Sequence, residues 1–214
     1  MHIQSTFRAN HNARIADGAS DLLTAMQPAA VTFYPMDATI YAQGEAAGPL
    51  YFVEFGTVRI CQMTADGRRL VCAFHTAGAV FGFEAGTEHA CYAESVDGAG
   101  IRVLRPGTGE QPTAHMLTLA IRSLARTQHH LMLLGRRNAN ERMAAFILDL
   151  AERQGTETRV HLAMQRYDIA DYLGLTFETV SRTLRVLKDQ GAICIPSVSE
   201  IEIVDIEALQ ALCE

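Results

Sequence analysis

No stretch of this chain approaches the ~20 apolar residues that a spanning helix needs, which excludes a helical membrane protein. The opening residues, MHIQSTFRANHNAR, carry no apolar run behind their basic ones, so no secretory leader is expected. The 5 cysteines, Cys61, Cys72, Cys91, Cys194 and Cys213, form no CxxC pair and no even framework. Reduced, mostly packed thiols are expected, and with them a cytoplasmic protein without membrane association. Catalytic signatures are missing too. No GxSxG, HExxH, P-loop or paired-acid arrangement occurs, and the acids of the first half are scattered as surface charge would be, so no enzymatic role is expected.

Positive charge is also scarce. The formal net charge of −6 over 214 residues argues weakly against a nucleic-acid partner. The balance is uneven: residues 1–119 hold 7 Arg against 11 Asp/Glu, residues 120–190 hold 11 Arg/Lys against 8 Asp/Glu, and the last 24 hold only acids. A local excess of bases can hold a phosphate backbone inside an acidic protein, because charges more than about 10 Å apart are screened at ~0.1 M salt. Net charge therefore does not decide the partner.

Glycine is plentiful in the first half. From Val31 to Leu104 it cuts the chain at Gly44, Gly48, Gly56, Gly67, Gly78, Gly82 and Gly86, and between these lie the β-prone runs TIYAQG, LYFVEFG, VRICQM and LVCAFH. Asp66-Gly67 reads as a hairpin turn between the last two, and the whole as a compact antiparallel sandwich or barrel. An apolar share of 49% is enough to fill its core.

Beyond the Gly/Pro-rich break from Pro106 to Pro112, the pattern predicts a long helix from Thr113 to Arg137, with only Gly135 against it. Leu117, Leu124 and Leu131 recur every seven residues, with Ala120, Thr127 and Leu134 three later. Such a seam on a helix of about 24 residues, ~36 Å long, normally pairs with a second copy, so a symmetric dimer is expected. Asn138 and Asn140 precede a second amphipathic helix, ERMAAFILDLAERQG, with Met143, Ile147 and Leu150 on one side and Gly155 as its stop.

Next come two helices joined at Gly174. Ala170 is small enough for a helix crossing, Gly174 is free to turn sharply, and Val180 anchors the second helix, the spacing of a helix-turn-helix. Thr176 suits its N-cap and Glu178 its first turn. At about 100° per residue, Glu178, Ser181, Arg182 and Arg185 gather opposite Val180, Leu184 and Leu187. Arg can donate two hydrogen bonds to guanine, Glu can accept from a cytosine amino group and Ser can do either, so this side is suited to reading bases. The chain closes with two β-prone runs, ICI and IEIV, split by Pro-Ser-Val-Ser, and a short helix from Asp205.

DIADYLGLTFETVSRTLRVLKDQGAI, with NANERMAAFILDLA before it and IYAQGEAAGPLYFVEFGTVRI in the first half, resembles the CRP/FNR family of bacterial transcription regulators over about residues 20–212. FGFEAG at 81–86 with DYLGLTFETVSRTL is most similar to the FixK branch, regulators of microaerobic and nitrogen-fixation-related genes. The resemblance implies an α+β fold: an N-terminal antiparallel, jelly-roll-like β-roll as sensor or effector domain at 1–109, a dimerisation helix at 110–137 carrying Leu117, Leu124, Leu131 and Leu134, and a C-terminal winged helix-turn-helix at 138–214. Family readers match at Glu178, Ser181 and Arg182, with Phe177 where the family varies, and the implied target is double-stranded DNA with TTGAT and ATCAA half-sites. Thr179, Arg185 and Arg166 are the candidate phosphate or ancillary contacts. An activator that recruits RNA polymerase as a homodimer is implied.

A cofactor is not expected. A cyclic nucleotide's phosphate needs a cation, yet no Lys or Arg occurs from Leu70 to Ile101, and Phe83 separates Gly82 from Glu84 where the family's nucleotide binders run Gly-Glu towards an Arg. An iron–sulfur cluster needs about four thiolates, and residues 1–60 have none. His75 or His89 could ligate haem, which keeps a haem- or ligand-sensing regulator as an alternative. Adjacent His129 and His130 point about 100° apart on their helix, poor for one metal ion. Cys194 follows the helix-turn-helix, so its oxidation would disturb the wing, although an inert packed thiol is the plainer reading. FixK-like proteins commonly act without a small ligand, and the resemblance implies the same here. A rival of another class is a β-roll ligand-binding module whose helical tail only assembles a dimer.

Overall fold

The computed structural model describes residues 30–105 and 114–213. The opening residues, the break from Pro106 to Pro112, the 109/110 boundary and Thr113 lie outside them. Strands β1 (Thr32–Tyr34), β2 (Thr39–Tyr41), β3 (Leu50–Phe55), β4 (Thr57–Met63), β5 (Arg69–Thr76), β6 (Val80–Phe81), β7 (Tyr92–Ser95) and β8 (Ala99–Leu104) come first. They form two four-stranded sheets, β1-β8-β3-β6 and β2-β7-β4-β5, a β-roll built by antiparallel pairing. Val53, Val58, Ala93, Ala99 and Ile101 are fully buried between them. Gly56 makes the β3–β4 turn at φ +81°, where a Cβ would lie 2.1 Å from the Gly98 carbonyl oxygen, so no other residue fits.

The expected hairpin turn at Asp66-Gly67 is present. The Gly67 N–H donates to the Thr64 carbonyl at 2.9 Å and the Thr64 N–H to the Arg68 carbonyl at 2.9 Å. Gly67 alone is left-handed, at φ +80°, while Asp66 is not, which makes this a type I turn closed by a glycine bulge rather than a type I′ turn.

Helix α1 spans Ala114–Leu134 and α2 Ala139–Gln154. Strand β9 (Arg159–His161), α3 (Arg166–Leu173), α4 (Phe177–Asp189), β10 (Ile193–Ser197), β11 (Glu200–Ile203) and α5 (Ile206–Ala211) follow. Three boundaries differ from the sequence pattern. α1 stops at Leu134 instead of reaching Arg137, because the ladder tightens at Gly135: the Arg136 N–H turns to the Leu133 carbonyl, one residue short of helical spacing. β9, three residues with no periodicity to betray them, makes the wing a three-stranded sheet of order β10-β11-β9. Pro196 lies inside β10 rather than in the loop, and the β10–β11 register shifts between Cys194 and Ser197, where proline offers no N–H to the ladder. In α2, Asn138 is the cap, accepting from the Glu141 N–H, and Asn140 lies inside the helix rather than before it, while Gly155, left-handed at φ 63°, ends it as the pattern predicts.

The described chain packs as two compact units that do not follow its order: 30–60 with 74–125, and 61–73 with 126–213. The tip of the β4–β5 hairpin therefore belongs with the helices. On α1, Leu117, Ile121, Leu124 and Leu131 lie within about 80° of one another and are all more than half exposed, at 57–63%. Leu119, His130 and Leu133 are buried on the opposite side. Leu134 does not share the exposed stripe: it is half-buried, and its Cδ2 lies 3.8 Å from where a Cβ on Gly174 would sit.

Candidate nucleic-acid interface

Helices α3 and α4 are held by what they bury. Ile169, Leu173, Val180, Leu184 and Leu187 are at most 2% exposed, and burying each such side chain contributes about 1.5–3 kcal/mol. Ala170, 4% exposed, is a small side chain on the buried side of α3. The turn is closed by Gly174 at φ 62°, whose N–H returns to the Ala170 carbonyl, and the Leu175 N–H joins it at 2.9 Å. Thr176 caps α4, its hydroxyl accepting from the Thr179 N–H at 3.3 Å. The last carbonyls of α3 find donors outside the helix. Arg142 Nη1 donates to the Leu173 oxygen at 3.2 Å, and His130 Nε2 to the Tyr172 oxygen at 2.8 Å while its ring stacks 3.9 Å from that of Tyr172.

With its apolar side committed to the core, α4 has one side left for other chemistry. Glu178, Arg182 and Arg185 are exposed and Ser181 is half-buried. The Glu178 carboxyl sits below its ordinary pKa because its own N–H and the Thr176 hydroxyl both donate to it, so it stays an ionised acceptor. Arg182 Nη2 lies 3.5 Å from Thr179 Oγ1, so the charges at i and i+4 are held by different partners rather than by each other. Arg166, half-buried, donates from Nη1 to Ser181 Oγ at 3.4 Å, bringing a further guanidinium to this side. Phe177 stacks on Tyr167 of α3, ring centroids 4.4 Å apart and planes 20° from parallel. One short helix face thus gathers two exposed guanidinium groups, one carboxylate, one hydroxyl and an aromatic edge, the donors, acceptors and apolar surface that base edges and phosphates present partners for.

Arg142 and Tyr167 were not singled out by sequence reasoning, and His130 was weighed there only as a metal ligand. Tyr167 and Phe177 are ten positions apart and meet only because α3 and α4 cross, which no local pattern signals. Cys194 lies half-buried in β10 opposite Glu202 of β11, with its thiol free.

The β-roll histidines are packed away. His89, 2% exposed, stacks 3.6 Å from the Tyr41 ring with Nδ1 3.2 Å from Glu84 Oε1, and His75, 6% exposed, stacks on Phe81. Arg59 is engaged by Asp37 at 2.9 Å and Glu94 at 2.8 Å. His129 and His130 diverge as adjacent helix positions must, one exposed near Asp149 and one buried on Tyr172. Among the described residues no group of three or more His, Cys, Asp or Glu is placed to hold a metal ion, and no helix is long and apolar enough to cross a membrane.

Residues 141–212 match the Crp-like helix-turn-helix domain family, and residues 31–98 match the cyclic nucleotide-binding domain family. The nitrogen fixation regulation protein FixK of Rhizobium meliloti is 43% identical over 186 residues, covering 87% of this chain and 88% of the relative. FixK of Azorhizobium caulinodans is 40% identical over 191 residues, covering 84% and 77%. The solved structure of FixK2 from Bradyrhizobium japonicum superposes with a TM-score of 0.80 at 34% identity, over 87% of this chain and 98% of that one.

Proposed function

Because this chain belongs to the CRP/FNR family, as a FixK-like DNA-binding transcription regulator and not an enzyme, we propose that it reads a palindrome of TTGAT and ATCAA half-sites as a homodimer and activates transcription by recruiting RNA polymerase. The observation that carries this reading is the division of α4, with Val180, Leu184 and Leu187 buried and Glu178, Ser181 and Arg182 on the other side. Each half-site has one G·C pair. Arg182 matches the guanine acceptors and Glu178 the cytosine amino group, while Phe177 supplies an apolar surface for a thymine methyl. Thr179, Arg185 and Arg166 hold the flanking phosphates and set register without reading sequence. Pairing of two copies along Leu117, Ile121, Leu124 and Leu131 presents two α4 helices to half-sites about one helical turn, ~34 Å, apart.

In this reading the protein needs no cofactor. A cyclic nucleotide lacks its counter-charge, since no Lys or Arg occurs from Leu70 to Ile101 and Arg59 is engaged by two carboxylates. An iron–sulfur cluster lacks thiolates, with no cysteine before Cys61, and His75 and His89 are buried and stacked on aromatic rings. Its setting is control under oxygen limitation or of nitrogen-fixation-related genes in the bacterial cytoplasm, and the names of its relatives speak for nitrogen fixation. Fluorescence anisotropy tests the core of the reading. Metal-free protein is expected to bind the palindromic duplex and to ignore a scrambled duplex at the same salt; equal binding to both would refute palindrome reading by the ligand-free protein.

A further inference from the structure

Asp168, in the first turn of α3, is 3% exposed, deep for a carboxylate, and a buried charge is costly unless it is paired. Its partner comes from 99 residues earlier in the chain. Arg69, at the start of β5, places Nη2 2.6 Å from Asp168 Oδ1 and 2.8 Å from Asp171 Oδ2, and its Nε donates to the same Asp171 oxygen at 2.9 Å. One planar guanidinium therefore bridges two carboxylates three positions apart on α3, a fork that the point charge of a lysine cannot reproduce. Beside it, Arg68 and Leu70 of the same hairpin line a cleft of about 360 Å³ together with Gly174, Thr176 and Thr179. The hairpin thus runs from the first turn of α3 to the start of α4.

α3 needs such a brace. It has only 8 residues, about two turns, and its N-cap Gln165 makes no side-chain hydrogen bond to the helix start. Its far end is tied down by Arg142 and His130 at the Leu173 and Tyr172 carbonyls. The near end is tied by Arg69. We propose that Arg69 is a positioning residue for DNA reading: by bridging Asp168 and Asp171 it sets the orientation of α3 and, through the Gly174 turn, the place at which α4 presents Glu178 and Arg182. This rests on the reading of α4 as the DNA-reading helix given above.

The test uses the full chain and anisotropy on the palindromic and scrambled duplexes, with melting of each variant measured alongside. Arg69→Ala is expected to weaken palindrome binding ~10-fold while changing binding to the scrambled duplex little. The double variant Arg69→Ala/Asp168→Asn separates positioning from charge compensation, since it removes the buried charge of Asp168 as well as the guanidinium facing it. It is expected to melt like the wild type and still bind the palindrome ~10-fold more weakly. The proposal is overturned if Arg69→Ala binds as the wild type does, or if the double variant regains both stability and affinity, for then Arg69 only neutralises a buried charge. If the wild type itself shows no preference for the palindrome, the operator reading has failed instead. Amide exchange in α3 then decides the clamp: faster exchange in the double variant supports it, and unchanged exchange overturns it.

Discussion

Helices α1 and α4 each turn one side to solvent, but with opposite chemistry. α1 exposes Leu117, Ile121, Leu124 and Leu131, four aliphatic side chains in a row, whereas α4 exposes Glu178, Arg182 and Arg185 beside a half-buried serine. Both faces are exposed, but they are suited to different partners. Apolar surface left in water gains about 25 cal/mol for each Å² it covers, whatever covers it, so the α1 stripe suits a second copy of itself. The α4 face gains little from mere coverage, because its charges are already solvated, and it rewards only partners that return its hydrogen bonds in the right geometry. In the proposed reading, one side holds two copies together and the other discriminates.

The largest effect is expected on α1. Leu124→Glu places like charges in the seam, and sedimentation velocity is expected to show a monomer whose palindrome binding falls by about 10²-fold or more as bivalent reading is lost. A dimer that persists with full affinity would mean the stripe has another role. On α4, Arg182→Ala is expected to cost about 1–3 kcal/mol in palindrome affinity and to relax discrimination at the G·C pair alone, read by titrating duplexes substituted at each position. A uniform loss across sequences would assign Arg182 to a phosphate instead.

Two smaller effects are expected, one on each helix. Thr176→Ala removes the cap of α4 and is expected to lower stability by about 1 kcal/mol, seen in calorimetry as a lower melting temperature, with the α1 seam and the dimer untouched. The smallest concerns His130, on the side of α1 opposite its leucines. Burial, outweighing the carbonyls of Tyr172 and Cys72 and the nearby Asp149, holds this imidazole below its ordinary value of 6.5, with Arg153 adding to the effect. The unfolded chain therefore takes up this proton first as pH falls. Stability is complete above pH 6.5 and declines below it, and His130→Gln is expected to flatten that decline in melts taken across this range.

Much of the fold was legible before any coordinates. The glycine-cut β-prone runs, the Asp66-Gly67 turn, the caps at Thr176 and Gly155 and the Ala170–Gly174–Val180 spacing each depend on a few neighbouring residues, and each appears in the structure. The misses have a shared character. β9 exists because β11 pairs with it, from His161 opposite Glu200 to Arg159 opposite Glu202, and not because three residues prefer to be a strand. Leu134 fits the heptad arithmetic but turns towards Gly174, because α1 ends there and a side chain at a helix end packs on whatever follows.

Sequence alone determined which helix faces are apolar and which are charged, and that no cation stands between Leu70 and Ile101, because each follows from residue type and a repeat of two or 3.6. Only the tertiary structure decided that Arg69 holds Asp168 and Asp171, that Tyr167 stacks on Phe177, and that His130 closes the end of α3. Those partners lie 10 to 102 residues apart, and their meeting is set by how packed elements cross, which is a property of the whole core and of no segment within it.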